Sequence, residues 1–422
     1  MRIGFVSTRL AGVDGVSLET EKWVKVLERM GHEVFYCAGE LDEEGPPGLL
    51  VPEMHFKHPV AEEVHRLAFG GTNIIPQLNT EIQRKAAHLI QALRAFIHQF
   101  QIDVLVVQNA LTIPMNVILG VALYEVILET QIPTIAHHHD FYWERERFLV
   151  NRIPSILRLA FPPDLPSIHH VVISTVMQRE LQIRRAINAV YIPNVFDFEN
   201  PPPLPDAHSN SFRAELGLGP DDVVLLQPTR LIARKSIERA IELVQMLGNN
   251  RKYHFVITGE GSDEPGPYQE WLVNMAVRSG IDFHFIGDRI DAHRTIEQVD
   301  GKRMYALWDV YPQCDLVTYL SAYEGFGNAL IETLYFKRPL VTNAYPAYRS
   351  DIKPAGVRAI EINGVVTPET VEDVRSLIHD PARVNAMVEH NYQVGLDHFS
   401  YQVLERKLNK LLARVCKRVP IC

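Results

Sequence analysis

Apolar positions recur along the chain in two alternating forms, short continuous runs and stripes at helical spacing. Residues 3–7 are a run of the first kind; after Gly12 and Gly15 comes a stripe of Trp23, Val24, Leu27 and Met30, which predicts strand, glycine turn and helix. Gly31 sits where a helix C′ glycine belongs, and residues 33–37 predict the next strand. Runs at 103–107, 133–136 and 170–173 alternate with helical stretches such as 81–100, the order expected of parallel βαβ units. The proline cluster at 200–205 is too rigid for a helix and too poor in donors for a central strand, and it predicts a linker. Beyond it the alternation restarts, with strands at Val223–Gln227, 253–258 and 282–286 and a helix at Ile237–Leu247. Two α/β domains follow, residues 1–198 and 199–398, with a last helix at 399–422 expected to cross back onto the first.

Composition narrows the picture modestly. Apolar residues at 46% and charged residues at 22% are ordinary for a globular protein. Lys and Arg number 42 against 51 Asp and Glu, a net charge of -9, so no global basic field is available for nucleic acid. The apolar run at the N-terminus is too short for a secretory signal. Residues 115–136, the most apolar long segment, are interrupted by Asn116, Glu125, Glu129, Gln131 and Pro133, which leaves peripheral membrane contact but no spanning helix. Cys37, Cys314, Cys416 and Cys422 are scattered without metal-ligand spacing, as suits reduced thiols in a cytoplasm.

The chemistry concentrates in residues 323–332. Gly325 and Gly327 allow close backbone approach, Asn328 is the expected N-cap, and the free amides of the helix it opens favour an anion. Glu324 in the turn and Glu332 one turn into the helix suit sugar or ribose hydroxyls at the carboxyl end of a strand. The alternative is a capped helix with two solvated acids. Arg230, Arg234 and Lys235 precede the helix near Ser236, where the dipole disfavours cations by roughly 0.3–1 kcal/mol each, so a diphosphate between the two turns would offset that.

With these residues in view the chain resembles the retaining glycosyltransferases of the GT-B fold, family 4 (group 1). Glu324 and Glu332 meet that family's Glu-x7-Glu pattern, and Arg230 with Lys235 its diphosphate-binding pair. Residues 29–34, 192–197, 259–261 and 285–287 match further motifs in order. The resemblance implies two Rossmann-like domains facing a central cleft and transfer of a hexose, glucose or mannose, from a nucleoside-diphosphate sugar to a hydroxyl acceptor. It implies that Glu332 binds the ribose, Glu324 the donor sugar, and the amides of Asn328, Ala329 and Leu330 the phosphate, with Gly325, Phe326 and Gly327 shaping the turn. Gly15 and Gly259 fall in glycine turns on the donor side, and Gly12 on the acceptor side. No metal or other cofactor is expected, in keeping with the absence of an Asp-x-Asp pair.

The run His137-His138-His139-Asp140 ends a strand where this family places a histidine facing the donor. His137 and His139 share one face of a strand and His138 the other, so either of the first two is a candidate catalytic residue. His138, Asp140, Arg145 and Arg147 are candidate acceptor contacts, because residues 144–185 are locally basic and suit a phosphorylated or carboxylated sugar. Solvated helix faces would give the same composition. A dehydrogenase is disfavoured by the incomplete glycine fingerprint between Gly12 and Gly15. A phosphorylase, a sugar-nucleotide epimerase and a non-catalytic sugar-nucleotide sensor remain alternatives.

Overall fold

A computed structural model describes the whole chain except residues 13, 249–251, 260–266, 292–293, 300–301 and 417–422, and omits the side chains of 295–299, 302 and 416. Glu260 and Gly261 of the expected second-domain turn, and Cys422, lie outside the described residues. The chain divides into two units, the first running from Met1 to Pro193 and resuming at Gln402, the second Asn194–Tyr401.

The first unit is built on seven parallel strands: β1 (Arg2–Val6), β2 (Glu33–Ala38), β3 (Gly48–Leu50), β4 (Val104–Gln108), β5 (Thr134–His138), β6 (Ile168–Val172) and β7 (Ala189–Tyr191). Their order is β3-β2-β1-β4-β5-β6-β7, so the sheet reverses its direction of growth between β1 and β4. β4 and β5 are buried at every position, which is why β4 reads as an apolar run rather than as an alternating one and why β5 carries its two histidines into the interior. The apolar segment flagged in the sequence becomes the helix Val117–Thr130, packed into the core of this unit. The last helix, Tyr401–Cys416, belongs here too. Arg29 reaches Glu405 at 2.8 Å, and Lys407 donates to the Tyr191 carbonyl at 2.9 Å.

The second unit carries β8 (Val223–Gln227), β9 (Tyr253–Ile257) and β10 (Asp282–Phe285), a separate antiparallel pair β11 (Thr295–Val299) and β12 (Lys302–Met304), then β13 (Leu316–Tyr319), β14 (Leu340–Asn343) and β15 (Ile360–Ile362). The main sheet is parallel, ordered β10-β9-β8-β13-β14-β15, and it reverses between β8 and β13. The proline segment 200–205 lies inside this unit rather than at its border, because Phe196 pairs with the Phe399 and Ser400 backbone and packs against Tyr335, tying the chain down before the prolines begin. Open parallel sheets bind ligands at the carboxyl ends of the strands flanking such a reversal. Both units therefore offer one such edge. No helix among the described residues is long and apolar enough to cross a membrane.

Candidate active site

At the reversal of the second sheet, β8 runs through Thr229 and Arg230 into a single 3-10 turn, Ala233–Lys235, and then into the helix Ile237–Leu247. Ser236 caps that helix only through its backbone, in the left-handed region at φ 49°, with no side-chain capping bond. The turn after β13 comes alongside: the Ala322 amide donates to the Arg234 carbonyl at 2.9 Å. Gly259, at the end of β9, closes against the same loop, since a Cβ there would lie 2.0 Å from the Thr229 carbonyl oxygen. Its smallness is what lets the loop carrying Arg230 sit low over the sheet.

Glu324 is buried at 7% exposure and accepts from Lys235 Nζ at 2.5 Å on one oxygen and from Arg234 Nη1 at 2.7 Å on the other. Burial works to raise its carboxyl pKa, but Lys235 and then Arg234 outweigh it, so the group is held below its ordinary range as a carboxylate. Lys235 itself is pushed below the usual lysine range, first by burial and then by Arg234 and Arg230 against the pull of Glu324. One carboxylate thus sits among an ammonium and guanidiniums, a field that a further anion would complete. The Lys235 ammonium also lies 5.5 Å from the centre of the Tyr319 ring.

The helix Asn328–Tyr335 opens beside this cluster. Gly327, not Asn328, is its N-cap, at φ 135°, and Asn328 is the first helical residue. The correction has a steric cause: Tyr345 Oη bonds the Phe326 carbonyl at 2.8 Å and would lie 2.3 Å from a Cβ at position 327. Only glycine permits that conformation. The Leu330 and Ile331 amides donate back to the Gly327 carbonyl at 3.1 and 3.2 Å, which leaves those of Asn328 and Ala329 without an intrahelical acceptor. The Asn328 side chain is occupied instead with Asn194 Nδ2 at 2.5 Å, which ties the helix start to residues 192–197. Glu332, half-buried, accepts from the buried Tyr311 hydroxyl at 3.2 Å, and Tyr311 stacks on Phe336 at 4.6 Å.

At the reversal of the first sheet, the histidine run sorts by strand alternation. His137 Nδ1 and His139 Nε2 both meet Gln108 Oε1 at 3.0 Å, so the carbonyl oxygen accepts from two imidazoles and sets the tautomer of each. His137 is stacked on Trp23 at 4.3 Å, and its Nε2 and the Gln108 Nε2 are buried with no protein partner. His138 points the other way. Its ring bonds Thr112 Oγ1 at 2.5 Å and His170 Nδ1 at 2.9 Å, and the His170 ring in turn serves the Pro163 carbonyl. With no exposure and both nitrogens used internally, His138 is placed in the packing, not among groups open to an acceptor. Burial holds all four imidazoles neutral, His139 at about 4 and His170 at about 3.

Asp140 accepts from Asn109 Nδ2 at 3.0 Å and from Arg145 Nε at 2.7 Å. Arg147 lies against Phe148 and Met115, with Asp140 acting on it electrostatically. Burial and then Arg145 lower its pKa. Gly12 is at φ 75° with its amide toward Asp42, and Gly15 starts the helix Gly15–Arg29, which Asp14 caps. Gln108, Trp23, Tyr311 and Tyr345 carry no motif. A buried polar residue at the carboxyl end of a strand was the one signal that pointed to Gln108.

The family model described as "Glycosyl transferases group 1" matches residues 209–394, which take in Arg230, Lys235, Glu324 and Glu332. A "Mannosylglucosylglycerate synthase" of Thermotoga maritima is 34% identical over 97% of this chain and 99% of its own length. The chain belongs to the group 1 glycosyltransferases. Another protein of that name, from Petrotoga mobilis, is 29% identical over 86% of both chains. Among solved structures, Anabaena Alr3699/HepE with UDP and glucose superposes with a TM-score of 0.67 at 16% identity, over 98% of this chain and 99% of that one. This group 1 glycosyltransferase thus has the GT-B fold of two Rossmann-like domains and is a hexosyltransferase.

Proposed function

We propose that this enzyme transfers a mannosyl group from a nucleoside-diphosphate donor, with retention of anomeric configuration, to a hydroxyl of an anionic glucosylglycerate-type acceptor. The observation that carries the reading is the identity to the Thermotoga synthase along nearly the whole of both chains. The second-unit cluster supports it chemically. Arg230, Lys235 and the Asn328 and Ala329 amides are suited to a diphosphate, and Glu332, held by Tyr311, to ribose hydroxyls. Glu324 anchors the two cations in this cluster and supplies the carboxylate suited to a sugar hydroxyl.

In this reading the bond from the anomeric carbon to the donor phosphate breaks through an oxocarbenium-like state as the acceptor oxygen bonds on the same face. The acceptor proton passes to the departing diphosphate, whose growing charge Lys235 and Arg230 stabilise. No side-chain nucleophile and no metal are required. In the first unit, His137 Nε2, which has no protein partner among the described residues, is suited to a hydroxyl, and Arg145 and Arg147 suit the acceptor's carboxylate. The test is incubation with UDP-, GDP- and ADP-mannose and glucosylglycerate, followed by mass and NMR analysis. A mannosylated product of retained configuration with released nucleoside diphosphate is expected. An inverted product would overturn retention, and transfer only to neutral acceptors would overturn the acceptor class.

A further inference from the structure

The far end of the second sheet, where β9 and β10 begin, carries a cluster that the transfer reaction does not use. Asp282 and His254 are direct neighbours across the two strands, and His284 follows Asp282 on the same face. His254 is 1% exposed. Its Nε2 faces Asp222 Oδ2 at 2.8 Å, and that oxygen also accepts from the Gly219 amide at 2.7 Å, so Asp222 is fixed as the acceptor and the ring proton belongs on Nε2. The lone pair on Nδ1 therefore points the other way, toward Asp282 Oδ2 at 3.1 Å and His284 Nε2 at 3.1 Å. His284 Nε2 is in turn 3.1 Å from Asp282 Oδ1. Two acceptors face each other there, and a cation or a second proton on His254 would relieve them.

We propose that His254, Asp282 and His284 bind a divalent metal ion of the zinc class. His254 Nδ1 and His284 Nε2, 3.1 Å apart, subtend about 95° at an ion placed roughly 2.1 Å from each, between the facial angle of an octahedron and that of a tetrahedron, while Asp282 turns Oδ2 toward the first ring and Oδ1 toward the second. Two imidazoles and a carboxylate are a ligand set that zinc accepts, with water to complete the shell. Asp222 behind His254 supplies the carboxylate that orients a ligating imidazole and fixes its tautomer. The opposing feature is Lys252, whose ammonium lies 3.6 Å from Asp222 and 3.8 Å from Asp282 but whose side chain is 55% exposed, free to swing into water when an ion enters. Placed at the opposite end of the strands from Arg230 and Glu324, the ion would brace β10, the edge strand, against β9.

The experiment is zinc titration of the full-length, chelator-stripped protein, read by calorimetry, bound zinc and melting temperature. One equivalent is expected, with a rise in melting temperature that EDTA reverses. His284→Gln, at a partly exposed position, should abolish that uptake while sugar transfer is unchanged. Asp222→Asn should weaken zinc binding by roughly 10–100-fold, and Lys252→Met should tighten it. Uptake below one equivalent at 0.1 mM zinc, or equal uptake by His284→Gln, would overturn the proposal. Because transfer activity is measured separately, failure here is distinguishable from failure of the proposed transferase reaction.

Discussion

The carboxyl ends of the two sheets occupy equivalent positions at a reversal of strand order, yet their polar groups are stabilised in opposite ways. In the first unit burial keeps four imidazoles neutral, and hydrogen bonds to Gln108, Thr112 and the Pro163 carbonyl fix their tautomers. In the second unit the buried groups are charged, with Glu324 between Lys235 and Arg234. A buried neutral network is complete only when every donor and acceptor is matched, whereas a buried carboxylate is held by the opposite charges placed against it. The first edge is suited to orient hydroxyls. The second, in the proposed reaction, holds the leaving diphosphate.

The sharpest way to break this contrast is Lys235→Ala. Loss of a preorganised cation beside a leaving group should lower turnover by about 10²–10³-fold, measured as kcat with donor saturating. Turnover within a factor of two of the parent would show that the diphosphate charge is carried elsewhere. On the neutral side, His138→Ala strands the Thr112 hydroxyl and the His170 ring and leaves a cavity, at a cost of about 2–4 kcal/mol in denaturant unfolding. His137→Ala should cost more in turnover than His138→Ala does, and the reverse order would exchange their faces.

The same neutral network sets a pH dependence. Folded-state pKa values of about 4 for His139 and about 3 for His170 lie below the ordinary 6.5, so between pH 6.5 and 4 the unfolded chain binds protons that the folded one does not. Stability is therefore complete above about pH 6.5 and falls as pH drops, with a slope of up to about 1.4 kcal/mol per pH unit for each such histidine. Melting curves from pH 8 to 5 should show this fall, and His170→Gln should make it shallower. A flat profile would mean that the imidazoles are not buried neutral.

Smaller effects sharpen the ligand assignments. Glu332→Ala should weaken nucleoside-diphosphate binding by about 1–3 kcal/mol, and Tyr311→Phe, which removes the hydroxyl shared between Glu332 and the Ala329 carbonyl, by about 0.5–1.5 kcal/mol. Calorimetry that finds Tyr311→Phe the larger loss would assign Tyr311 a direct contact. Arg147→Gln should raise the acceptor KM several-fold with donor KM unchanged, and added salt should act in the same direction. A response of both KM values alike would remove Arg147 from the acceptor side.

Much of this was written in local pattern. The helix Ile237–Leu247 and strand Val223–Gln227 stand where apolar period alone puts them, because burial on one or both faces imposes that period. The glycine turn, the paired acids at 324 and 332 and the cations before Ser236 were legible for the same reason: each is a short-range motif with its own backbone chemistry. Strand alternation likewise separated His138 from His137 and His139.

What required the tertiary structure is contact between residues far apart in the chain. Asn328 is the better N-cap by residue type, but Tyr345 crowds position 327 and a glycine there takes the cap. His138 looked like an acceptor contact until His170, on the neighbouring strand, claimed its outer nitrogen. Glu324 and Lys235 are 89 residues apart, and only the adjacency of β8 and β13 makes them a pair. Local sequence determines which backbone forms and which face is apolar; the strand order decides which buried polar groups meet, because that depends on crossovers whose lengths carry no record of the partner they reach.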